Sequence, residues 1–246
     1  MKRYLGLLVA LLLCAVLLSG CSDGATKGEY FTYIVETDGT ATITGYIGNE
    51  RAVVVPKKID GHKICAIANK AFASNSLITT VTIQKGVQSI GLYAFSNCER
   101  LKEVNLPDSI AYIGLEAFYS CKSLQEINIP DSAYLIGERA FSYCESLSKI
   151  TMPAKINSDH LSFAEIGEYA FAGCGFLREF TVPEGVHTIG EGAFVNCSSL
   201  EEITIPASVT VMNGNPFYGC DLKRINVKEG SYAAEYFKDH KGLTFY

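Results

Sequence analysis

Nine cysteines and four histidines are the residues of this chain best equipped for chemistry, as thiolate nucleophiles, disulfide partners or metal ligands. Six cysteines obey a rule: Cys98, Cys121, Cys144, Cys174, Cys197 and Cys220 each stand three residues after Phe95, Phe118, Phe141, Phe171, Phe194 and Phe217. If equivalent positions stack one strand apart, neighbouring thiols come near the Cα separation that a disulfide tolerates. A stacked row supplies one thiol per turn, however, whereas zinc takes ligands that converge tetrahedrally. Cysteine is also among the residue types most often buried. Core packing is the reading that the spacing favours, with pairing between neighbours as the alternative and metal binding the least supported. His62 and Cys65 are three residues apart, with no acid to orient a Cys–His nucleophile, so a local turn contact is the simpler expectation. His160, His187 and His240 are scattered, and no glycine pattern of a phosphate-binding loop occurs. No cofactor, metal or catalytic group is expected, and the chain reads as a non-enzyme.

What positions these residues is a repeat, which dictates the fold more than any single motif does. The unit from Ile113 to Pro130 reads Ile-Gly, two variable residues, Ala-Phe, two more, Cys, then Leu, a short β-like run and Pro. Its register follows Phe72, Phe95, Phe118, Phe141, Phe171, Phe194 and Phe217, at separations of 23, 23, 23, 30, 23 and 23. The long interval holds the insertion Lys155 to Ala164, and one residue is missing between Cys220 and Leu222. Each copy carries an apolar, polar, apolar run such as Val81-Thr82-Ile83 or Ile127-Asn128-Ile129, the period of a strand with one buried face. A unit this small cannot bury its own apolar face, so copies must stack strand beside strand, about 4.8 Å apart. The proline that follows lacks a backbone donor and ends the strand. The glycine after Ile113 and its equivalents either adopts a backbone shape barred to other residues or lets the chain pass close.

The outward positions of those strands are the candidate binding face. Thr80 and Thr82 come first, then Glu103 and Asn105, Glu126 and Asn128, and Lys149 and Thr151. Glu179 and Thr181, Glu202 and Thr204, and Arg224 and Asn226 continue the two columns. One reading is a polar ladder that keeps an exposed sheet soluble. The other is an extended binding surface, of the kind repeat arrays offer, whose glutamates favour a partner with basic groups. Tyr93, Tyr119, Tyr143, Tyr169 and Tyr218 gather instead at the Ala-Phe turns, where tyrosine serves either structure or protein contacts. The insertion is a further contact candidate, since function concentrates on loops.

The ends differ from the repeats. Tyr30 to Val35 and Ala41 to Tyr46 alternate around Asp38-Gly39, the signature of a hairpin, and a third run, Val53-Val54-Val55, stops at Pro56. Residues 30–55 are therefore expected to form an N-terminal β cap over a solenoid spanning 56–228. Residues 229–246 form a C-terminal cap, with Ser231 opening a short helix and Leu243-Thr244-Phe245 as a closing strand. At the other extreme, Lys2 and Arg3 precede an apolar run from Leu5 to Leu18, the pattern of a signal peptide over residues 1–20. The run ends Leu18-Ser19-Gly20-Cys21, which resembles the bacterial lipobox and implies cleavage before Cys21 and lipidation of Cys21. Residues 21–29 are small and polar and read as a flexible tether.

The chain is 48% hydrophobic with a net charge of −5, ordinary for a folded body, and 21 Lys and Arg against 26 Asp and Glu leave no basic footprint for nucleic acid. The repeated unit resembles the BspA-type leucine-rich repeat of bacterial surface proteins, over about residues 56 to 228. That resemblance implies an α/β solenoid, a right-handed array with its parallel sheet on one face and turns or short helices on the other. It also implies a lipid-anchored protein at the cell surface, held to the membrane through the anchor. Its solenoid would bind an extracellular or surface protein in adhesion or host-cell interaction. The alternative is an envelope component that captures peptide or glycan for an uptake or assembly system.

Overall fold

The computed structural model describes residues 26–27, 30–154 and 164–246. Cys21, the expected signal segment and residues 155–163 of the insertion lie outside the described residues. Each turn contributes strands to two parallel sheets, which close around one apolar core. The front sheet consists of the expected strands: Thr80–Ile83, Glu103–Asn105, Glu126–Asn128, Lys149–Thr151, Glu179–Thr181, Glu202–Ile205 and Arg224–Val227. The rear sheet was not expected. It runs through Ser89–Ile90, Tyr112–Ile113, Leu135–Ile136, Ala164–Ile166, Val186–Ile189 and Val211–Met212, all parallel, with one register shift between Ala164 and Glu165.

The expected solenoid with its parallel front sheet is present, and its other face is a second sheet in place of turns or short helices: among the described residues the one helix is Tyr232–Tyr236, and no turn of the array is helical. The backbone of the Ala-Phe turn explains why. In one turn Ala117, Tyr119 and Cys121 donate to Gly114, Glu116 and Phe118 of the same turn, at 3.1–3.2 Å. Glu116, Phe118 and Ser120, which alternate with them, donate to Glu138, Ala140 and Ser142 of the next turn, at 2.8–3.0 Å. Donors that alternate between their own turn and the next cannot build a helix, whose donors all point along one axis. Glu116 and Ser120 hold φ at 52° and 56° to make the alternation possible. The repeat glycine serves close approach: a Cβ on Gly114 would fall 2.8 Å from the Gly91 carbonyl carbon and 2.9 Å from the Leu92 nitrogen.

Inside, Phe72, Phe95, Phe118, Phe141, Phe171, Phe194 and Phe217 form one stack, with centroids 4.7–5.6 Å apart and planes within 17°. Aromatic pairs contribute about 0.5–1.5 kcal/mol each beyond the area they bury. The stack is closed at one end by Phe31 and Tyr46 against Phe72, and at the other by Phe237 against Phe217. Those closing rings come from the terminal segments. The hairpin Phe31–Val35 and Ala41–Tyr46 joins the rear sheet, with Ala41–Tyr46 parallel to His62–Ile67. Ala52–Val55 is not part of a cap; it pairs parallel with Thr80–Ile83 and forms the first rung of the front sheet. Thr26–Lys27, within the expected tether, pairs antiparallel with the first hairpin strand. At the far end Ser231 accepts a bond from the Ala234 nitrogen and caps the helix, and Leu243–Phe245 pairs parallel with Arg224–Val227.

The insertion leaves its mark on one face only. The rear sheet continues past it through Ile136 and Ile166. The front sheet divides there, with Lys149–Thr151 ending one ladder and Glu179–Thr181 beginning another. Ile150 is only half-buried where its equivalents Ile127 and Ile203 are buried, and Phe180 fills the next turn, 5.1 Å from Phe171 and 4.8 Å from Phe194.

Candidate functional site

The front face is built by register. Thr80, Glu103, Glu126 and Lys149 face one another across neighbouring strands, and so do Thr82 and Asn105, then Asn128 and Thr151. Beyond the insertion Glu179, Glu202 and Arg224 align, beside a column of Thr181, Thr204, Asn226 and Thr244. Every one of these side chains points away from the core, because the residue between them, such as Val104, Ile127 or Ile203, is buried.

The two halves of this face differ in how their charges are spent. In the C-terminal half Arg224 donates through Nε to the Glu202 carboxylate at 3.0 Å, and Asn226 donates to the same carboxylate at 2.8 Å. Asn226 also donates to Thr204 at 3.2 Å and accepts from the Thr244 hydroxyl, while Lys223 pairs with Glu201 at 2.6 Å. Arg224, then Asn226, holds the Glu202 carboxyl below its usual range, and Lys223 does the same to Glu201. Around Glu201 and Glu202 these bonds make a self-satisfied polar network, in which Glu202, Thr204 and Asn226 are only half-exposed.

In the N-terminal half Asn105 bonds to Glu103 at 2.8 Å. Arg51, Lys102, Gln125, Glu126 and Lys149 are all exposed and have no side-chain partner among the described residues. A shallow depression of about 400 Å³ is lined by Arg51, Thr80, Lys102, Glu103, Gln125 and Glu126. Glu103 and Glu126 are directly opposed across two strands, a like-charge pair that destabilises a sheet unless something neutralises it.

The sequence reading missed one column of this face. Arg51, Lys102, Arg178, Glu201 and Lys223 stand one residue before the outward column and are exposed beside it. They fall outside the apolar–polar alternation, which is why strand periodicity did not find them; Lys102, Arg178 and Glu201 each follow a repeat Phe by seven residues, a spacing that would have found those three. Arg51, Lys102, Arg178 and Lys223 balance the glutamates, so the face is mixed in charge instead of acidic.

The cysteine row lies elsewhere, inside. Cys98 donates to the Phe72 carbonyl at 3.1 Å, Cys121 to Phe95 at 3.2 Å, and Cys144 to Phe118 at 3.2 Å. Cys174, Cys197 and Cys220 repeat this to Phe141, Phe171 and Phe194, at 3.0–3.3 Å. All seven described cysteines are free thiols, and burial pushes Cys98 up to about 12 and raises Cys121 and Cys174 as well. Thiols held protonated against carbonyls are hydrogen-bond donors, the opposite of nucleophiles. Cys65 contacts the Thr40 hydroxyl at 3.2 Å, and His62 Nδ1 meets the Gly39 carbonyl at 2.9 Å, so the two serve separate turn contacts. Among the described residues no group of three or more His, Cys, Asp or Glu is placed to hold a metal ion.

The family described as BspA type leucine rich repeat region matches residues 65–164 and 164–238, in six copies. A leucine rich repeat protein from T. pallidum is similar at 29% identity and a TM-score of 0.71, covering 89% of this chain and 98% of that one. A leucine-rich repeat protein from Bacteroides ovatus is similar at 25% identity and a TM-score of 0.57, covering 85% of this chain and 66% of that one. No curated protein matches. With its repeats matched and its two-sheet array shared, this chain belongs to the BspA-type leucine-rich repeat family of bacteria.

Proposed function

We propose that this protein is a surface-displayed binder, without catalytic activity, whose front face captures another protein in adhesion or cell–cell contact. Lipidation at Cys21 is the proposed means of display, and it leaves the array facing outward from the membrane on its tether. One observation carries the reading of the face. In its C-terminal half Glu201 pairs with Lys223 and Glu202 with Arg224, whereas its N-terminal half keeps Arg51, Lys102 and Glu126 unpaired around a depression. A solubility ladder would have no reason to treat its halves differently; a docking surface leaves its specificity groups free and opposes a partner of the complementary mixed charge.

Capture of extracellular proteins by the full chain tests this. Saturable binding that is lost when Arg51, Lys102, Glu103 and Glu126 are all replaced by Gln supports it. Capture unaffected by those replacements, or saturable binding to a glycan array and to no protein, rejects it. For the anchor, mass spectrometry of the protein purified from its own membrane should find diacylglycerol on Cys21. An unmodified or absent Cys21 would exclude that mode of display.

A further inference from the structure

The Ala-Phe turns form a second exposed surface, and their tyrosines are placed at a conformational disadvantage. Tyr93, Tyr143 and Tyr169 hold φ at 59°, 58° and 55°, a region disfavoured for bulky side chains. Tyr143 stands where neighbouring turns place Asn97, Ser120, Gly173 and Asn196, residues that tolerate this conformation or have no side chain to strain. The turn therefore does not require a tyrosine. The glycines of the following turns also make room for the rings: a Cβ on Gly173 would fall 2.9 Å from Tyr143 Cδ1, and one on Gly192 would strike the Tyr169 ring. Strain held in place by a neighbouring cavity-maker points from an outlier toward a use.

The chain shows what such rings attract. The Lys70 ammonium sits 5.6 Å from the Tyr93 centroid, and the Arg139 guanidinium 4.9 Å from the Tyr169 ring, each cation one turn before its tyrosine. The third aromatic station has no such cation among the described residues. Tyr119 and Tyr143 meet edge to face at 5.5 Å, with Tyr143 50% exposed. Lys122, close by in sequence, is already held by Glu99 at 2.7 Å. Glu116 and Glu145 flank the pair in sequence and form no ion pair among the described residues.

We propose that the Tyr119–Tyr143 pair is a docking station for a Lys or Arg side chain from a basic segment of a protein partner. The ring face supplies cation–π attraction, and the nearby carboxylates supply long-range attraction. This station is separate from the front face and does not depend on it.

Titration of the full chain with oligolysine, followed by tyrosine emission, tests the proposal, since the chain has no Trp to mask that signal. Nε-acetylated oligolysine, which keeps the stems and loses the charge, should bind at least tenfold more weakly. Tyr143→Gly should weaken oligolysine binding at least tenfold while Tm stays constant or rises, because glycine relieves the φ strain. Tyr143→Phe, which keeps the ring, should bind like the parent. Equal binding by Tyr143→Gly and the parent overturns the proposal, as does equal binding of the acetylated peptide. A Tm that falls in Tyr143→Gly makes the ring a packing element and overturns it too.

Discussion

Cys121 illustrates what the repeat does with a reactive residue. Its thiol is buried, donates to the Phe95 carbonyl at 3.2 Å and is raised above its ordinary pKa chiefly by burial. Cys98, pushed up to about 12, behaves alike. A thiol whose folded pKa exceeds its unfolded value of about 9 stabilises the fold fully below pH 9, and loses that contribution as pH rises toward 12. Circular dichroism should therefore show urea stability falling between pH 9 and pH 12, and less steeply in Cys98→Ala measured against its own neutral-pH value. Alkylation at neutral pH without denaturant should spare Cys98, Cys121, Cys144, Cys174 and Cys197, which are buried, and reach the half-exposed Cys65 and Cys220. The preference for core packing over pairing was legible because each cysteine keeps a fixed distance from a core phenylalanine. The carbonyl that each thiol meets was not legible, because the bond joins consecutive turns whose stacking distance no residue pattern encodes.

At the level of elements, the front strands were readable and the rear ones were not. Apolar, polar, apolar runs such as Ile127-Asn128-Ile129 display their period, whereas the rear strands Ser89–Ile90 and Tyr112–Ile113 are two residues long and contain no period to display. Their evidence was the Ile-Gly pair itself: Ile113 is the inward residue of the strand, and Gly114 permits close approach to the preceding turn. Gly114→Ala places a Cβ against backbone that cannot move aside, and should destabilise by about 2–3 kcal/mol in urea titration, near the upper end for overpacking. A change below about 0.5 kcal/mol would contradict the close approach, since surface substitutions alone reach that size. The C-terminal helix depends on its cap in the same way. Ser231→Ala removes the bond to the Ala234 nitrogen and should lower stability by about 1 kcal/mol. Hydrogen exchange should place that loss first in residues 232–237, because in a stacked array each element contacts mainly its neighbours.

The whole molecule is a stack whose interior is repetitive and whose exterior is not. Ile, Ala, Phe, Cys and Leu are spent on the core at each turn, and Gly on the approach between turns. What varies is the exposed remainder: the outward columns of the front sheet and the tyrosines of the turns. The division of the front sheet at the insertion separates a half in which Arg51, Lys102 and Glu126 are unpaired from one in which Glu201 and Glu202 pair with Lys223 and Arg224. The most direct measurement compares two sets of replacements in the same capture assay with extracellular proteins. One set changes Arg51, Lys102, Glu103 and Glu126 to Gln; the other changes Glu201, Glu202, Lys223 and Arg224 to Gln. The expected result is that the first set abolishes saturable capture while the second leaves it intact and lowers only stability, and that slightly, because exposed ion pairs are screened by solvent. Capture that survives the first set and disappears with the second would contradict the assignment of binding to the N-terminal half.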